Sequence, residues 1–91
     1  MYPILVSIDE GLLRLLNLEN VDLGFLLKFA IFKEYKAEFC FFQSEKTKNI
    51  RLHLEKKDFF ILNSICKENN CYINEYAGEL ITEVFLEIIR R

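Results

Sequence analysis

The spacing of apolar residues in the first third of the chain predicts one strand and two helices. Residues 2–8, YPILVSI, form a short apolar run that is typical of a strand. Residues 9–17 carry leucines at helical spacing, and Asp9 is a suitable N-cap residue. Residues 21–34 fit both a helix and a buried strand. We favour a helix there, because the run is long and begins with the cap residue Asp22.

Strict alternation of apolar and polar residues marks the middle of the chain. In residues 35–42, YKAEFCFF, every second residue is apolar, and the same holds for residues 49–55, NIRLHLE. Such period-two runs are typical of strands with one buried face. The polar segment 43–48, QSEKTK, joins them. The pattern therefore predicts a β-hairpin with a long tip.

The last third changes to helical spacing. Residues 56–70, KKDFFILNSICKENN, predict an amphipathic helix, and a short extended piece, CYI, follows it. Residues 74–80 and 82–91 are helical again. Asn74 and Thr82 are residue types that cap helix N-termini, so we interpret these segments as two helices.

The composition is that of a folded domain with a dense core. The 91 residues are 52% hydrophobic and include nine phenylalanines, and no internal repeat or linker stands out. We expect a single α+β domain over residues 1–91, with a β-hairpin packed against four or five short helices. No apolar run approaches the length of a membrane span, and three cysteines do not suit a secreted disulfide framework. These features favour a cytoplasmic protein with reduced thiols.

Cysteines and a histidine are the only candidates for metal chemistry. Cys66 and Cys71 have a wider spacing than most zinc pairs, and Cys40 and His53 complete a conceivable Cys3His set. Cys66 falls on the apolar side of its predicted helix, where a free thiol packs as a small hydrophobic group. We therefore expect no metal and no cofactor. No catalytic motif is present, so we also expect no enzymatic activity.

Charge is unevenly distributed although the net charge is only −2. Residues 33–57 hold seven basic and four acidic residues, whereas residues 58–91 hold three basic and six acidic residues. A lysine-bearing β-ribbon can follow a phosphate backbone. Lysines also protect a solvent-exposed edge strand from aggregation, which is the simpler explanation of the same pattern.

The C-terminal segment resembles a winged helix-turn-helix domain. Over residues 54–91, Phe59, Ile61, Leu62 and Ile65 match the first helix of that family. Glu75 to Leu80 match its second helix, and Thr82 to Arg91 match its third. The resemblance implies a DNA-binding fold. The chain departs from the family pattern at Ile81, which directly follows Leu80. Glu83 and Glu87 also lie in the helix that would read DNA, where they would repel phosphates.

Two functions follow as expectations. The first is a small DNA-binding accessory or regulatory protein, dimeric, that contacts double-stranded DNA through the basic residues of the hairpin and its exit: Lys36, Lys46, Lys48, Arg51, Lys56 and Lys57. The alternative is a protein-binding inhibitor, antitoxin-like or immunity-like factor whose acidic C-terminal helices face a basic partner through Glu83, Val84, Glu87 and Ile88. The residue usage is typical of an AT-rich genome and suits a plasmid or phage gene.

Overall fold

Two strands and four helices make up the described part of the chain. A computed structural model describes residues 1–34 and 46–90, and of Arg90 it describes the backbone only. The elements are β1 (Tyr2–Asp9), α1 (Glu10–Leu18), α2 (Leu23–Phe32), β2 (Thr47–Leu54), α3 (Lys56–Glu68) and α4 (Ile73–Arg90). The α+β class is confirmed in these residues.

The two strands pair with each other in an antiparallel sheet. Ile4 lies opposite Leu52, and Val6 lies opposite Ile50, so their side chains share the face that packs on the core. The strand predicted from residues 49–55 is therefore present as β2, but it begins earlier, at Thr47. The predicted hairpin partner, residues 35–42, lies outside the described residues. The partner found is β1, because its apolar alternation matches that of β2.

Helices α1 and α2 begin where the sequence predicts. The Asp9 carboxylate accepts a hydrogen bond from the backbone N–H of Leu12 at 3.0 Å. Asp22 does the same for the N–H of Gly24, also at 3.0 Å. Each carboxylate satisfies a donor that the first helical turn leaves without a partner. The helix favoured for residues 21–34 is confirmed as α2.

Helix α4 runs without a break where two helices were predicted. Thr82 lies in its middle, and its hydroxyl donates to the carbonyl of Gly78 at 2.8 Å instead of capping a new helix. Ile81 and Val84 on either side of Thr82 are both buried, so one apolar stripe continues through the predicted boundary. The prediction of separate helices was wrong because burial of this stripe outweighs the capping signal. Asn74 lies inside the first turn, and its amide donates to the hydroxyl of Ser7 at 3.0 Å.

The order strand, helix, helix occurs twice, which the sequence did not reveal. We call β1-α1-α2 the first unit and β2-α3-α4 the second unit. The same turn joins the two helices in each. Asn20 and Asn70 both have a left-handed backbone, with φ values of 55° and 54°. The N–H of the next residue then bonds back to the carbonyl five residues earlier, at 3.0 Å in both units.

Buried positions repeat as well. Leu26, Leu27, Ala30 and Ile31 of α2 recur 50 positions later as Tyr76, Ala77, Leu80 and Ile81 of α4, and all eight are buried. Leu5 and Arg51 lie opposite each other in the sheet, and each stands four residues before the N-cap of the following helix, Asp9 or Glu55. This register is the one expected of two units related by an approximate two-fold axis between these residues.

The helices cross over to the strand of the other unit. Helix α4 lies against β1 and helix α2 lies against β2, around one shared cluster of buried apolar side chains. The contact of α4 is so close that a Cβ atom at Gly78 would lie 1.8 Å from the carbonyl oxygen of Ser7. The residue of α2 at the equivalent position is Lys28, whose exposed side chain pairs with Glu55.

Candidate functional site

The structure does not gather the predicted DNA-contacting residues into one patch. Lys36 lies outside the described residues, and the other five are exposed: Lys46, Lys48, Arg51, Lys56 and Lys57. Lys46 and Lys48 stand at one end of β2, and Lys56 and Lys57 stand at the other, in the first turn of α3. At about 3.3 Å per residue, the ends of an eight-residue strand are roughly 26 Å apart.

The sheet also divides these residues between its two faces. Lys48 lies opposite Ile8, on the face that carries the core residues, whereas Arg51 lies opposite Leu5 on the other face. Acidic residues accompany the lysines. The ammonium group of Lys48 lies 3.7 Å from the Glu10 carboxylate. The predicted basic surface is therefore interrupted by negative charge.

Arg51 belongs to an open sheet face that the sequence pattern did identify. Thr47, Asn49, Arg51 and His53 are all exposed, and the alternation of a strand places their side chains on the same side of the sheet. Asn49 accepts a hydrogen bond from the Ser7 hydroxyl at 2.7 Å, which ties this face to β1. On β2 this face combines the guanidinium of Arg51 with the hydrogen-bonding side chains of Thr47, Asn49 and His53.

The predicted partner-binding residues of α4 separate into two groups. Val84 is buried, with 1% of its surface exposed, so its assignment to a binding surface was wrong. It faces the core because α4 continues through the predicted turn. Ile88 is 54% exposed, and Glu83 and Glu87 are half-buried. These three residues remain accessible near the end of the helix.

Four glutamates form a ridge along α4. Glu75, Glu79, Glu83 and Glu87 recur every four residues, a spacing that places neighbours on the same side of a helix. The pKa of Glu79 is raised, chiefly by burial and then by the negative charges of Glu83 and Glu75. We call these four residues the acidic ridge. The side chains of Leu86, Ile88 and Ile89, which are apolar and exposed, lie in the C-terminal half of the same helix.

The cysteines form a packing contact at the end of α3. Cys66 is buried, and the thiol of Cys71 donates to its carbonyl at 3.7 Å. Burial raises the pKa of Cys66 to about 12, and the neighbouring Cys71 contributes further. Leu16 and Val21 hold the equivalent places in the first unit. Cys40 lies outside the described residues, and residues 1–34 and 46–90 contain no group of three metal-ligating side chains.

A cleft between α2 and β2 was missed by the sequence analysis. It measures about 420 Å³, and its lining includes Phe25 and Lys28 of α2, the last four residues of β2, and Asp58 in the first turn of α3. The Lys28 ammonium donates to the Glu55 carboxylate at 2.9 Å, which raises the pKa of Lys28 and lowers that of Glu55. Only the two-unit arrangement brings these residues together, so no local pattern could have revealed the cleft.

Asp58 is the unusual residue of this cleft. It is only 6% exposed, and its Oδ2 atom has no hydrogen-bond partner within the described part of the chain. Its negative charge also helps to raise the pKa of Lys28, although the Glu55 hydrogen bond contributes most. A buried carboxylate oxygen without a donor is costly, so Asp58 marks a place where a further donor would stabilise the structure.

None of the helices in residues 1–34 and 46–90 has the length and apolar character needed to cross a membrane. A scan against protein-family models found no match, and no curated protein or solved structure matches the chain.

Proposed function

We propose that this protein acts by binding a basic partner protein through the acidic ridge of α4. It would serve as a non-enzymatic inhibitor or as an antitoxin-like or immunity-like factor. The observation that carries the proposal is the ridge itself. Like charges four residues apart destabilise a helix, and the pKa of Glu79 is raised chiefly by burial and further by the charges of Glu83 and Glu75. A basic partner would relieve the repulsion between these charges.

The neighbourhood of the ridge suits a protein interface. Leu86, Ile88 and Ile89 add exposed apolar surface to its C-terminal half. Apolar residues bordered by charge are typical of surfaces that bind proteins. Opposite charges across such an interface accelerate association and exclude partners of the wrong sign.

The test is affinity purification from the native host with two tagged variants of equal charge. One variant replaces Glu75, Glu79 and Glu83 by Gln; the control replaces the exposed residues Glu19, Glu34 and Glu68 by Gln. We expect the wild type and the control to retain a stoichiometric basic protein, and the ridge variant to lose it. Circular dichroism checks that all three chains are folded. Retention of the same partner by the ridge variant would contradict the proposal.

DNA binding remains a second candidate because of the open sheet face. A two-stranded antiparallel ribbon fits the major groove, and Arg51 with Asn49 and Thr47 provides suitable hydrogen-bonding groups. The winged-helix mode is less suitable, since α4 contains no turn before its C-terminal half. This candidate therefore rests on β2 and its flanking lysines.

Fluorescence anisotropy with random and native-context duplexes at two salt concentrations tests this candidate. If it holds, binding weakens steeply with salt, and replacing Lys46, Lys48 and Arg51 by Ala abolishes it. The Glu19, Glu34 and Glu68 variant again serves as a control, because it changes charge elsewhere. The absence of any anisotropy change at low salt would exclude DNA binding.

A further inference from the structure

The hydrogen-bonding phase of the sheet shows which backbone groups of β2 face outward. In an antiparallel pair of strands, two opposite residues either exchange both of their backbone hydrogen bonds or point their backbone N–H and C=O groups away from each other. The N–H of Glu10 bonds to the carbonyl of Lys46 at 2.9 Å, which fixes that phase at the end of β1. Alternate residues of β1, including Pro3 and Ser7, therefore direct their groups outward. Pro3 has no N–H to lose there.

The residues of β2 opposite this set are Thr47, at the start of the strand, and then Asn49, Arg51 and His53. Their backbone N–H and C=O groups must point away from β1. On β1 the outward edge is covered, because α4 lies directly on Ser7 through Gly78. Within residues 1–34 and 46–90, β2 pairs with β1 only. Among these described residues, the outward backbone groups of Asn49, Arg51 and His53 have no strand partner.

This edge borders the α2–β2 cleft. Arg51 and His53 line the cleft together with Phe25 of α2, which is 65% exposed. A strand added to the edge would alternate its side chains between the open sheet face and the cleft. On the open face it would meet the side chain of Arg51, a residue that also borders the cleft, and in the cleft it would meet Asp58 and Glu55. The matching strand therefore carries an acidic residue on the first side and a basic residue on the second.

A second copy of this chain suits one register of this edge poorly. That register is the antiparallel pairing centred on Arg51, which uses Asn49, Arg51 and His53 of both copies. It would place the two Arg51 side chains directly opposite each other, and like charges in that position are destabilising. A strand from a different protein carries no such penalty.

We propose that the outer edge of β2 binds an extended segment of a partner protein by strand addition, with a lysine or arginine of that segment entering the α2–β2 cleft toward Asp58. Backbone hydrogen bonds along the edge supply affinity, and the cleft supplies selectivity. This site lies on a different element from the acidic ridge and does not depend on it.

The probes are four eight-residue peptides in which glutamate alternates with valine and one central inward position varies among lysine, arginine, valine and glutamate. Amide hydrogen exchange of the full chain is measured by NMR with and without each peptide. In the free chain, we expect the amides of Asn49, Arg51 and His53 to exchange fast. The lysine and arginine peptides should slow these three amides by about tenfold or more. The valine peptide should be weaker, and the glutamate peptide weakest.

Two variants separate edge pairing from side-chain contacts. Arg51→Pro removes an outward N–H without breaking the ladder to β1, a position where strands tolerate proline. It should abolish peptide binding, whereas Arg51→Ala should only weaken it. Asp58→Asn should remove the preference for lysine over valine. As a check that does not depend on folding of the proline variant, peptides N-methylated at alternate residues should fail to bind the wild type.

Several results would overturn the proposal. Protection of the three amides in the free chain at every concentration would mean that the chain covers its own edge. Protection that grows with protein concentration would mean that a second copy binds there. The failure of all four peptides would exclude strand addition. The variant with Glu75, Glu79 and Glu83 replaced by Gln should bind the peptides normally, which distinguishes this site from the acidic ridge.

Discussion

The first and second units build the same elements but pack them differently at one equivalent position. In the second unit, Gly78 lets α4 lie directly on the backbone of β1. In the first unit, the side chain of Lys28 stands at that position, pairs with Glu55, and borders an open cleft. Glycine at this position permits direct contact between helix and strand, whereas the lysine at the equivalent position accompanies an open cleft.

The largest effect should come from Gly78→Ala. The added methyl group would meet the Ser7 carbonyl oxygen at 1.8 Å and its carbon at 2.9 Å, and both are backbone atoms that cannot rotate away. We expect the free energy of unfolding to fall by about 3 kcal/mol, at the upper end of overpacking costs. Urea denaturation measures it. The matched control, Lys28→Ala, should change stability by less than about 0.5 kcal/mol, because its ion pair is exposed. Equal losses in both variants would contradict the comparison.

The turn shared by both units gives a smaller, symmetric effect. Asn20 and Asn70 have left-handed backbones, which an alanine adopts at a cost of about 1 kcal/mol. Asn20→Ala and Asn70→Ala should each lower the free energy of unfolding by about that amount, and the glycine variants should lose nothing. Thermal denaturation of the four variants measures this. A large difference between the two turns would argue against the internal two-fold axis.

Glu79→Gln should stabilise the protein slightly at neutral pH. Burial and the charges of Glu83 and Glu75 raise the pKa of Glu79 above its unfolded value, so the ionised form costs stability as pH rises through the raised pKa. Removing two like-charge pairs should contribute about 0.5 kcal/mol at pH 7. The gain should disappear below the usual pKa of a glutamate, where the wild-type side chain is protonated in both states. Melting temperatures at pH 7 and pH 4 test this sign, and Glu68→Gln is the control.

The smallest effect is expected when a residue of one unit is replaced by its equivalent in the other. The N–H of Cys71, just after α3, bonds to the carbonyl of Cys66, and the N–H of Val21, just after α1, bonds to that of Leu16. Cys71→Val should therefore change the free energy of unfolding by less than about 0.5 kcal/mol, as measured by urea denaturation.

The thiol of Cys66 should resist alkylation at pH 8 in the folded protein, because burial raises its pKa to about 12. Peptide mapping after iodoacetamide treatment reads this directly. Rapid labelling of Cys66 would contradict its burial.

Local patterns predicted the elements but not their partners. Asp9 and Asp22 marked two helix starts because capping depends on neighbouring residues alone. Strand pairing depends on distant residues, so the alternation in β2 could not show that β1 lies beside it. Threonine is a residue type that caps helix N-termini, so Thr82 suggested the start of a new helix. Helix α4 instead continues through Thr82, because Ile81 and Val84 are both buried on its apolar side.

The candidate sites show the same division. The charge asymmetry predicted an acidic C-terminal surface. Glu83 and Glu87, two of the residues named in that prediction, are accessible and belong to the acidic ridge of α4. Val84 was misplaced because its exposure depended on a turn that does not form. Asp58 looked like an ordinary acidic residue near a helix start, and only the packing of α2 beside β2 shows that it is buried in a cleft. The repeat was hidden because the units share a burial pattern more than identical residues.

The crossing of helices between units has a consequence for how the chain unfolds. Because α4 rests on the strand of the first unit and α2 on that of the second, neither unit keeps its core when the other opens. The buried cluster draws members from both. Heat or denaturant should therefore melt the whole described assembly in one cooperative step, with no half-folded state populated in between.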